Sequence, residues 1–162
     1  MSRIFRSRSF PFALGMGGLL MIAMGIMIGL GSFTFVYARG TSYLSNDPQT
    51  CVNCHIMRDQ YDAWSVSSHR NVAVCNDCHT PHDFLGKWVT KGINGFNHGL
   101  AFTTGDYPEV IQIKGYNADI VQENCVGCHT TLVNQVYGYH EDQSRRCVDC
   151  HGNVGHQNRS TQ

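Results

Sequence analysis

The longest hydrophobic run of the chain lies near its N-terminus. Residues 10–37 contain no charged side chain, and a helix of about 20 apolar residues is long enough to cross a bilayer. A cleaved signal peptide is the alternative, because Val36, Tyr37 and Ala38 resemble a cleavage site. The apolar region of a signal peptide is usually only about 7–15 residues long. The pattern therefore predicts a retained transmembrane anchor over residues 10–38.

The charges that flank this anchor predict its orientation. Three arginines stand among residues 1–9, and only Arg39 follows the apolar run closely. The positive-inside rule keeps the side with more arginine in the cytoplasm. We therefore expect a single-pass protein of the inner (cytoplasmic) membrane, with a periplasmic domain over residues 39–162. Gly25 and Gly29 form a GxxxG motif, which allows a homo-oligomer through the membrane helix.

The exported part of the chain shows little regular alternation of apolar and polar residues. Gly, Asn, Asp, Ser and Thr are scattered through it, and few stretches alternate as strands do. We therefore predict a mostly α-helical fold with extensive coil. All Asp and Glu residues lie after residue 40, so the exported domain is mildly acidic. Since it has no basic patch, nucleic acid is not expected as a partner.

All eight cysteines fall into four Cys-x-x-Cys-His units. The cysteines are Cys51 and Cys54, Cys75 and Cys78, Cys125 and Cys128, and Cys147 and Cys150, and the motif histidines are His55, His79, His129 and His151. This pentapeptide is the attachment signature of c-type haem, in which two thiols bond the porphyrin edge and the histidine ligates the iron. Zinc sites and disulfide frameworks also use paired cysteines, but neither explains a histidine after every second cysteine. The sequence therefore predicts four covalently bound haem c groups.

The four motifs form an internal repeat. Two-haem modules over residues 51–82 and 125–156 each contain two motifs and two further histidines, and residues 83–124 connect them. About 120 residues around four haems leave about 30 residues for each, so porphyrins are expected to form much of the core. We therefore predict a compact multihaem c domain organised around four haems that lie close enough to exchange electrons.

Five histidines lie outside the motifs and are candidates for the second axial position of each iron. They are His69, His82, His98, His140 and His156. A low-spin electron carrier needs a second ligand, whereas any single histidine can also be a surface or hydrogen-bonding imidazole. We expect ligation by His69 and His156. His82 follows His79 by only three residues, which is awkward for a second haem, so we expect it to support a ligand instead.

The motif order resembles the NapC/NirT family of membrane-anchored tetrahaem quinol dehydrogenases. Shared features are the anchor, Cys-x-x-Cys-His-Ile-Met at the first motif, Ser-His before the second, Pro-His after it, and a histidine five residues after the fourth. From the residues alone, Met57 either ligates iron through its soft sulfur or packs against the porphyrin. The resemblance implies that Met57, in place of His55, ligates the first haem, that His69 serves the third haem, and that His156 serves the second. His140 could supply the fourth-haem ligand that some members take from a partner.

The segment after the second motif provides candidates for a quinol site. Lys87, Lys91 and His98 share one face if this segment is helical, although four glycines weaken the helix and solvated lysines are the alternative. Where the family usually has an aspartate near the first haem, this chain has His98, which could accept a quinol proton or ligate iron. The resemblance implies quinol oxidation at the first haem, with Lys91 and His98 in the site. Aromatic residues of the segment suit a membrane interface.

The expected function is oxidation of quinol, and of menaquinol in particular. The electrons would pass to a periplasmic multihaem reductase such as cytochrome c nitrite reductase. One alternative is a passive anchored electron shuttle without a quinol site of its own. A cytochrome that itself reduces a small nitrogen or sulfur compound ranks last, because the chain is small for four haems and a substrate pocket.

Overall fold

The protein is described by a computed structural model that covers residues 10–108, 110–135 and 145–156. Within these ranges it is built from helices, 3₁₀ turns and coil, with no β-strand, which confirms the predicted mostly α fold. The α-helices are α1 (Phe10–Tyr37), α2 (Arg58–Ser65), α3 (Cys75–His79), α4 (Phe84–Thr104), α5 (Gly115–Cys128), α6 (Thr130–Val133) and α7 (Cys147–Cys150). The 3₁₀ turns are Gly40–Leu44, Pro48–Asn53 and His55–Met57.

The chain divides into two compact units after Thr41, and α1 belongs to the first unit. Its segment Gly15–Tyr37 is long and apolar enough to cross a membrane. The helix ends where Arg39 adopts a left-handed backbone with φ of 50°. A Cβ atom at Gly40 would collide with the ring of Phe35, so a larger residue at this position would require that ring to move.

The second unit has a small apolar core in the residues that the structure describes. Ala118 and Ile120, both on α5, are its buried hydrophobic side chains, and each is 5% exposed. A domain of this size ordinarily buries many more apolar side chains. The small apolar core agrees with the expectation that porphyrins supply much of the interior.

Polar contacts of α5 connect it to the second and fourth motifs. Asn124 donates hydrogen bonds from Nδ2 to the carbonyl oxygens of Cys78 at 3.0 Å and Thr80 at 2.9 Å. The side-chain oxygen of Gln122 accepts a hydrogen bond from the backbone N–H of Cys147 at 2.8 Å. Since both cysteines of the third motif lie at the C-terminal end of α5, this helix carries one motif and contacts two others.

The helix α4 forms despite its four glycines. Asp83 caps its N-terminus by accepting the N–H of Gly86 at 2.6 Å, and Gly105 with φ of 70° ends it. Thr90 is fully buried and its Oγ1 hydrogen-bonds Tyr116 Oη of α5 at 2.8 Å. Tertiary contacts and caps thus offset the weak intrinsic propensity of glycine.

Candidate haem-attachment and quinol sites

The second and fourth motifs have the same local structure. Each begins a short helix, α3 or α7, and each has an aspartate directly before its second cysteine. Asp77 accepts the backbone N–H of Val74 at 2.9 Å, and Asp149 accepts that of Arg146 at 2.8 Å. These caps stabilise a helical turn at the first cysteine because they satisfy an N–H that would otherwise have no partner.

Helical backbone also positions the histidines of the third and fourth motifs. The N–H of His129 donates to the carbonyl of Cys125 at 2.9 Å, and the N–H of His151 donates to that of Cys147 at 2.8 Å. Positions i, i+3 and i+4 of a helical turn share one face. Both thiols and the imidazole of such a motif can therefore approach the same side of one flat porphyrin.

The first motif has a different backbone. Cys54 is extended, with φ of −90° and ψ of 110°, and lies between two 3₁₀ turns. The N–H of Met57 donates to the carbonyl of Cys54 at 2.8 Å. His55 is exposed, whereas Met57 is half-buried. Because Cys54 is extended, His55 does not continue a helical turn from Cys51 and Cys54, as the histidines of the helical motifs do from their cysteines.

Two pairs of histidine rings lie at a distance that fits an iron atom between them. The ring centres of His79 and His156 are 6.0 Å apart, and those of His69 and His129 are also 6.0 Å apart. A metal–imidazole bond is about 2 Å long, so two imidazoles on opposite sides of one metal have ring centres about 6 Å apart. The spacing of both pairs would therefore allow each to hold one haem iron.

Hydrogen bonding and burial give two of these histidines properties that a metal ligand needs. His69 donates from Nδ1 to the carbonyl of Val154 at 2.9 Å, which leaves Nε2 available for a metal. Burial, with the neighbouring charge of His156, lowers the pKa of His79 to about 4. Only a neutral imidazole can ligate iron, and this environment keeps His79 neutral.

The cysteines of successive motifs are neighbours. The side chain of Cys51 hydrogen-bonds that of Cys75, which lowers the pKa of Cys51 to about 7 and raises the pKa of Cys75 above its ordinary range. Burial and then the charge of Cys125 raise the pKa of Cys78, and burial and then the charge of Cys147 raise the pKa of Cys125. The four attachment sites therefore follow one another in the order of the sequence.

Lys91 is one of the two quinol-site residues predicted from the sequence, and it is only 7% exposed. Its Nζ donates to the carbonyl of Ser45 at 2.9 Å and to Oδ1 of Asn46 at 3.2 Å, and it lies 5.3 Å from the ring centre of Trp88. Desolvation and then the charge of Lys87 lower the pKa of Lys91. The contacts described for this ammonium group are two neutral oxygens and the ring of Trp88. Its two hydrogen bonds use two of the three N–H protons, so the third is available to a ligand.

His98, the second predicted residue, contacts a tyrosine that the sequence analysis missed. Its Nδ1 hydrogen-bonds Tyr43 Oη at 3.0 Å. Partial burial, and then the charges of Cys54 and Cys51, raise the pKa of Tyr43 to about 12, so this hydroxyl stays protonated beside the first motif. Desolvation and then the charge of Lys114 lower the pKa of His98. Tyr43 therefore links His98 to the first attachment site.

The remaining predicted residues have mixed positions. His82 donates from Nε2 to the carbonyl of Asp77 at 3.1 Å, so it contacts the backbone of α3. His151 is exposed, and His140 lies outside the described residues. Across those residues, no three His, Cys, Asp or Glu side chains converge on one point as a zinc site requires.

A helix able to cross a membrane, followed by a helical domain with four haem-attachment motifs, defines a membrane-anchored multihaem c-type cytochrome. The sequence model of the NapC/NirT cytochrome c family, N-terminal region, matches residues 13–118. The chain belongs to this family, and as a c-type cytochrome it binds haem c covalently.

Three similar proteins extend this assignment. The cytochrome c-type protein NrfH of Wolinella succinogenes is 36% identical over 147 residues, which cover 84% of this chain and 83% of that protein. The cytochrome c nitrite reductase subunit NrfH of Nitratidesulfovibrio vulgaris is 32% identical over 142 residues, which cover 88% and 86%. The crystal structure of a cytochrome c nitrite reductase NrfHA complex bound to the HQNO inhibitor matches with a TM-score of 0.62 and 29% identity, over 85% of this chain and 90% of that chain.

Proposed function

We propose that this protein is the membrane-anchored quinol dehydrogenase of a periplasmic cytochrome c nitrite reductase. Two relatives above 30% identity are NrfH proteins, one of them named as a subunit of cytochrome c nitrite reductase, and the similar solved structure is the NrfHA complex of that reductase. The apolar α1 agrees with attachment to the membrane that holds the quinol pool. The proposed partner is the multihaem catalytic subunit of the reductase.

The ligand assignment follows from the two histidine pairs. His79 and His156 would hold the second haem, and His129 and His69 the third, because their ring centres are 6.0 Å apart in each pair. Met57 would ligate the first haem in place of the exposed His55.

The fourth haem would be held by His151, with its other ligand from His140 or from the partner. When bound, the four haems supply one-electron acceptors in series from the first motif to the fourth.

The residues around the first motif can receive the protons that a quinol releases on oxidation. When Nδ1–H of His98 donates to Tyr43, Nε2 carries the free electron pair. The lowered pKa of His98 keeps this imidazole neutral near pH 7, and its protonated form would still hold the bond to Tyr43. Lys91 would donate its third proton to a quinol oxygen and so position the substrate.

One observation carries the quinol assignment: His98 and Lys91 lie on the face of α4 that turns toward the first motif. The charge of Cys51 acts on Lys91, and Tyr43 joins His98 to the same motif. A proton acceptor and a buried cation therefore lie near the first motif, whose haem would receive the first electron.

The test compares two reductants on the purified full-length holoprotein in detergent. His98→Gln should slow haem reduction by a soluble naphthoquinol about 100-fold, the ordinary contribution of a general base. Dithionite, which needs no quinol site, should still reduce all four haems. His82→Gln is the matched control, because His82 contacts only backbone in the described structure, and it should leave the quinol rate unchanged.

The outcomes separate the proposal from its alternative. Unchanged quinol kinetics in both His98→Gln and Lys91→Met would reject this site. A wild-type protein that quinol does not reduce at all would instead indicate a passive electron shuttle. The reductase assignment has its own test, since the pre-reduced protein should be reoxidised by nitrite only when a nitrite reductase catalytic subunit is added.

A further inference from the structure

A closed group of four hydrogen bonds joins α4 to the second motif. The donors are Nζ of Lys91, on α4, and Nδ2 of Asn76, which lies between the two cysteines of that motif. The acceptors are the backbone carbonyl of Ser45 and Oδ1 of Asn46. Lys91 donates to them at 2.9 and 3.2 Å, and Asn76 at 3.1 and 3.0 Å. Because each donor bonds both acceptors, the group fixes the ammonium of Lys91 relative to the second motif.

Asn46 supplies the one acceptor of this group that belongs to a side chain. Its Oδ1 accepts two hydrogen bonds, as the two lone pairs of an amide oxygen allow. Because Asn76 donates to the same oxygen at 3.0 Å, it holds the amide of Asn46 in the orientation that bonds Lys91. A substitution at position 46 can therefore remove this acceptor, whereas the backbone carbonyl of Ser45 would remain.

Short-range hydrogen bonds fix the segment that carries both acceptors. The N–H of Ser45 donates to the carbonyl of Ser42 at 3.1 Å, and Oγ of Ser45 accepts the N–H of Asp47 at 3.0 Å. Asp47 in turn caps the 3₁₀ turn that enters the first motif, because its carboxylate accepts the N–H of Gln49 at 2.9 Å. The two acceptors therefore have a defined position relative to the first motif as well.

Neutral oxygens, and no counter-ion, hold the ammonium of Lys91. This residue is 7% exposed, and no carboxylate forms an ion pair with it in the part of the chain that the structure describes. A buried ammonium that served stability alone would ordinarily be paired with a carboxylate, because an unpaired charge is costly to bury. With neutral acceptors the positive charge of Lys91 stays available to an oxygen of a ligand. The group is thus suited to hold a cation that acts on a ligand.

We propose that Asn46 is a positioning residue of the quinol site. Its amide oxygen, oriented by Asn76, fixes the ammonium of Lys91 where the third N–H proton meets a quinol oxygen. The inference rests on the proposed quinol oxidation, and Asn46 acts only through Lys91. Loss of Oδ1 leaves Nζ with the carbonyl of Ser45 as its one oxygen acceptor among those described, so the ammonium is free to turn away. Quinol binding should then weaken, whereas the electron transfer that follows binding should change little.

Quinol kinetics of the purified full-length holoprotein in detergent test this role. The rate of haem reduction is measured against the concentration of a soluble naphthoquinol. Asn46→Ala should raise the half-saturating concentration about tenfold, the effect of one hydrogen bond to a charged group, and change the limiting rate less than about twofold. Asn46→Asp keeps an acceptor oxygen and should stay within about threefold of the wild type. In a Lys91→Met background, Asn46→Ala should slow reduction less than about twofold further, because its effect passes through Lys91.

Amine labelling of Lys91 gives a second readout that needs no quinol. The holoprotein is treated with N-hydroxysuccinimidyl acetate, and acetylation of Lys91 is measured by mass relative to that of the exposed Lys114. Labelling of the buried wild-type Lys91 should be slow, and Asn46→Ala should accelerate it about fivefold. Asn94→Ala is the matched control on α4, because it removes two 3.1 Å hydrogen bonds to Asn117 and none to Lys91. It should change neither the labelling nor the half-saturating concentration.

The outcomes separate this inference from the proposed function. A wild-type protein that quinol does not reduce would reject quinol oxidation, and with it the role of Asn46. Reduction of the wild type by quinol, with an unchanged half-saturating concentration in Asn46→Ala, would reject the role of Asn46 alone. Equal effects of Asn46→Ala and Asn94→Ala would also overturn it, because they would report a general loosening of α4. If Asn46→Ala does not retain four haems, Asn46→Ser decides, since its hydroxyl lies one bond nearer the backbone than Oδ1 does.

Discussion

Replacement of Asn124 with alanine should weaken the contact between the second and third haem-attachment motifs. The amide of Asn124 donates to the carbonyls of Cys78 and Thr80, at 3.0 and 2.9 Å. Two such hydrogen bonds contribute about 2 kcal/mol to the free energy of unfolding. Alanine recovers about 0.6 kcal/mol because it is the better helix former within α5. We therefore expect a net loss of about 1.5 kcal/mol.

Urea denaturation of the holoprotein in detergent measures this loss. The Soret band reports the axial ligands and the far-ultraviolet circular dichroism reports the helices. The midpoint should fall while the dependence of unfolding free energy on urea stays constant. Asn134→Ala is the matched control, because Asn134 is exposed beyond the end of α6, and it should change stability by less than about 0.5 kcal/mol. A loss at Asn124 as small as that at Asn134 would refute the role assigned to this amide.

Three further predictions concern the irons and the quinol site. His156→Ala should show one more high-spin haem than the wild type in electron paramagnetic resonance, because the haem of the second motif would lose one of its two ligands. An unchanged number of low-spin haems would contradict the assignment. Tyr43→Phe should slow quinol-dependent haem reduction about fivefold, the equivalent of one hydrogen bond, and should leave dithionite reduction unchanged. Desolvation lowers the pKa of His98, so the neutral imidazole that accepts a proton is present at pH 7 and is lost only on acidification. As the pH falls, the ratio of the wild-type quinol rate to the His98→Gln rate should therefore decrease with a midpoint below pH 6.5. A midpoint above pH 6.5 would contradict the role of His98 as proton acceptor.

The features predicted from the sequence are those that local patterns determine. A 28-residue apolar helix follows from a run without charge, and its match to α1 requires no tertiary information. The thiols and the histidine of a Cys-x-x-Cys-His motif come together because one helical turn joins them, as in α3 and α7. For α4 the helix could be predicted only conditionally, because its glycines weaken a helix that the Asp83 cap and the contact of Thr90 then stabilise.

The parts that could not be predicted depend on contacts between distant segments. Tyr43 meets His98 across 55 positions, and Lys91 meets Ser45 across 46. No periodicity connects these residues, and Tyr43 has no motif of its own. The only available signal for Tyr43 was its place between the apolar anchor and the first motif. The extended backbone of Cys54, which distinguishes the first motif, likewise cannot be predicted from the Cys-x-x-Cys-His pattern that all four motifs share.

One spare histidine of each predicted two-haem module lies beside a motif histidine of the other module. His69 of the first module lies against His129 of the second, and His156 of the second lies against His79 of the first. A duplicated module that was independent would pair each spare histidine within its own half. Because the spare histidines cross in both directions, each half supplies a ligand candidate that the other half lacks. With so few buried apolar side chains, these crossed pairs are well placed to hold the two halves of the domain together, and neither half is expected to assemble its haem sites alone.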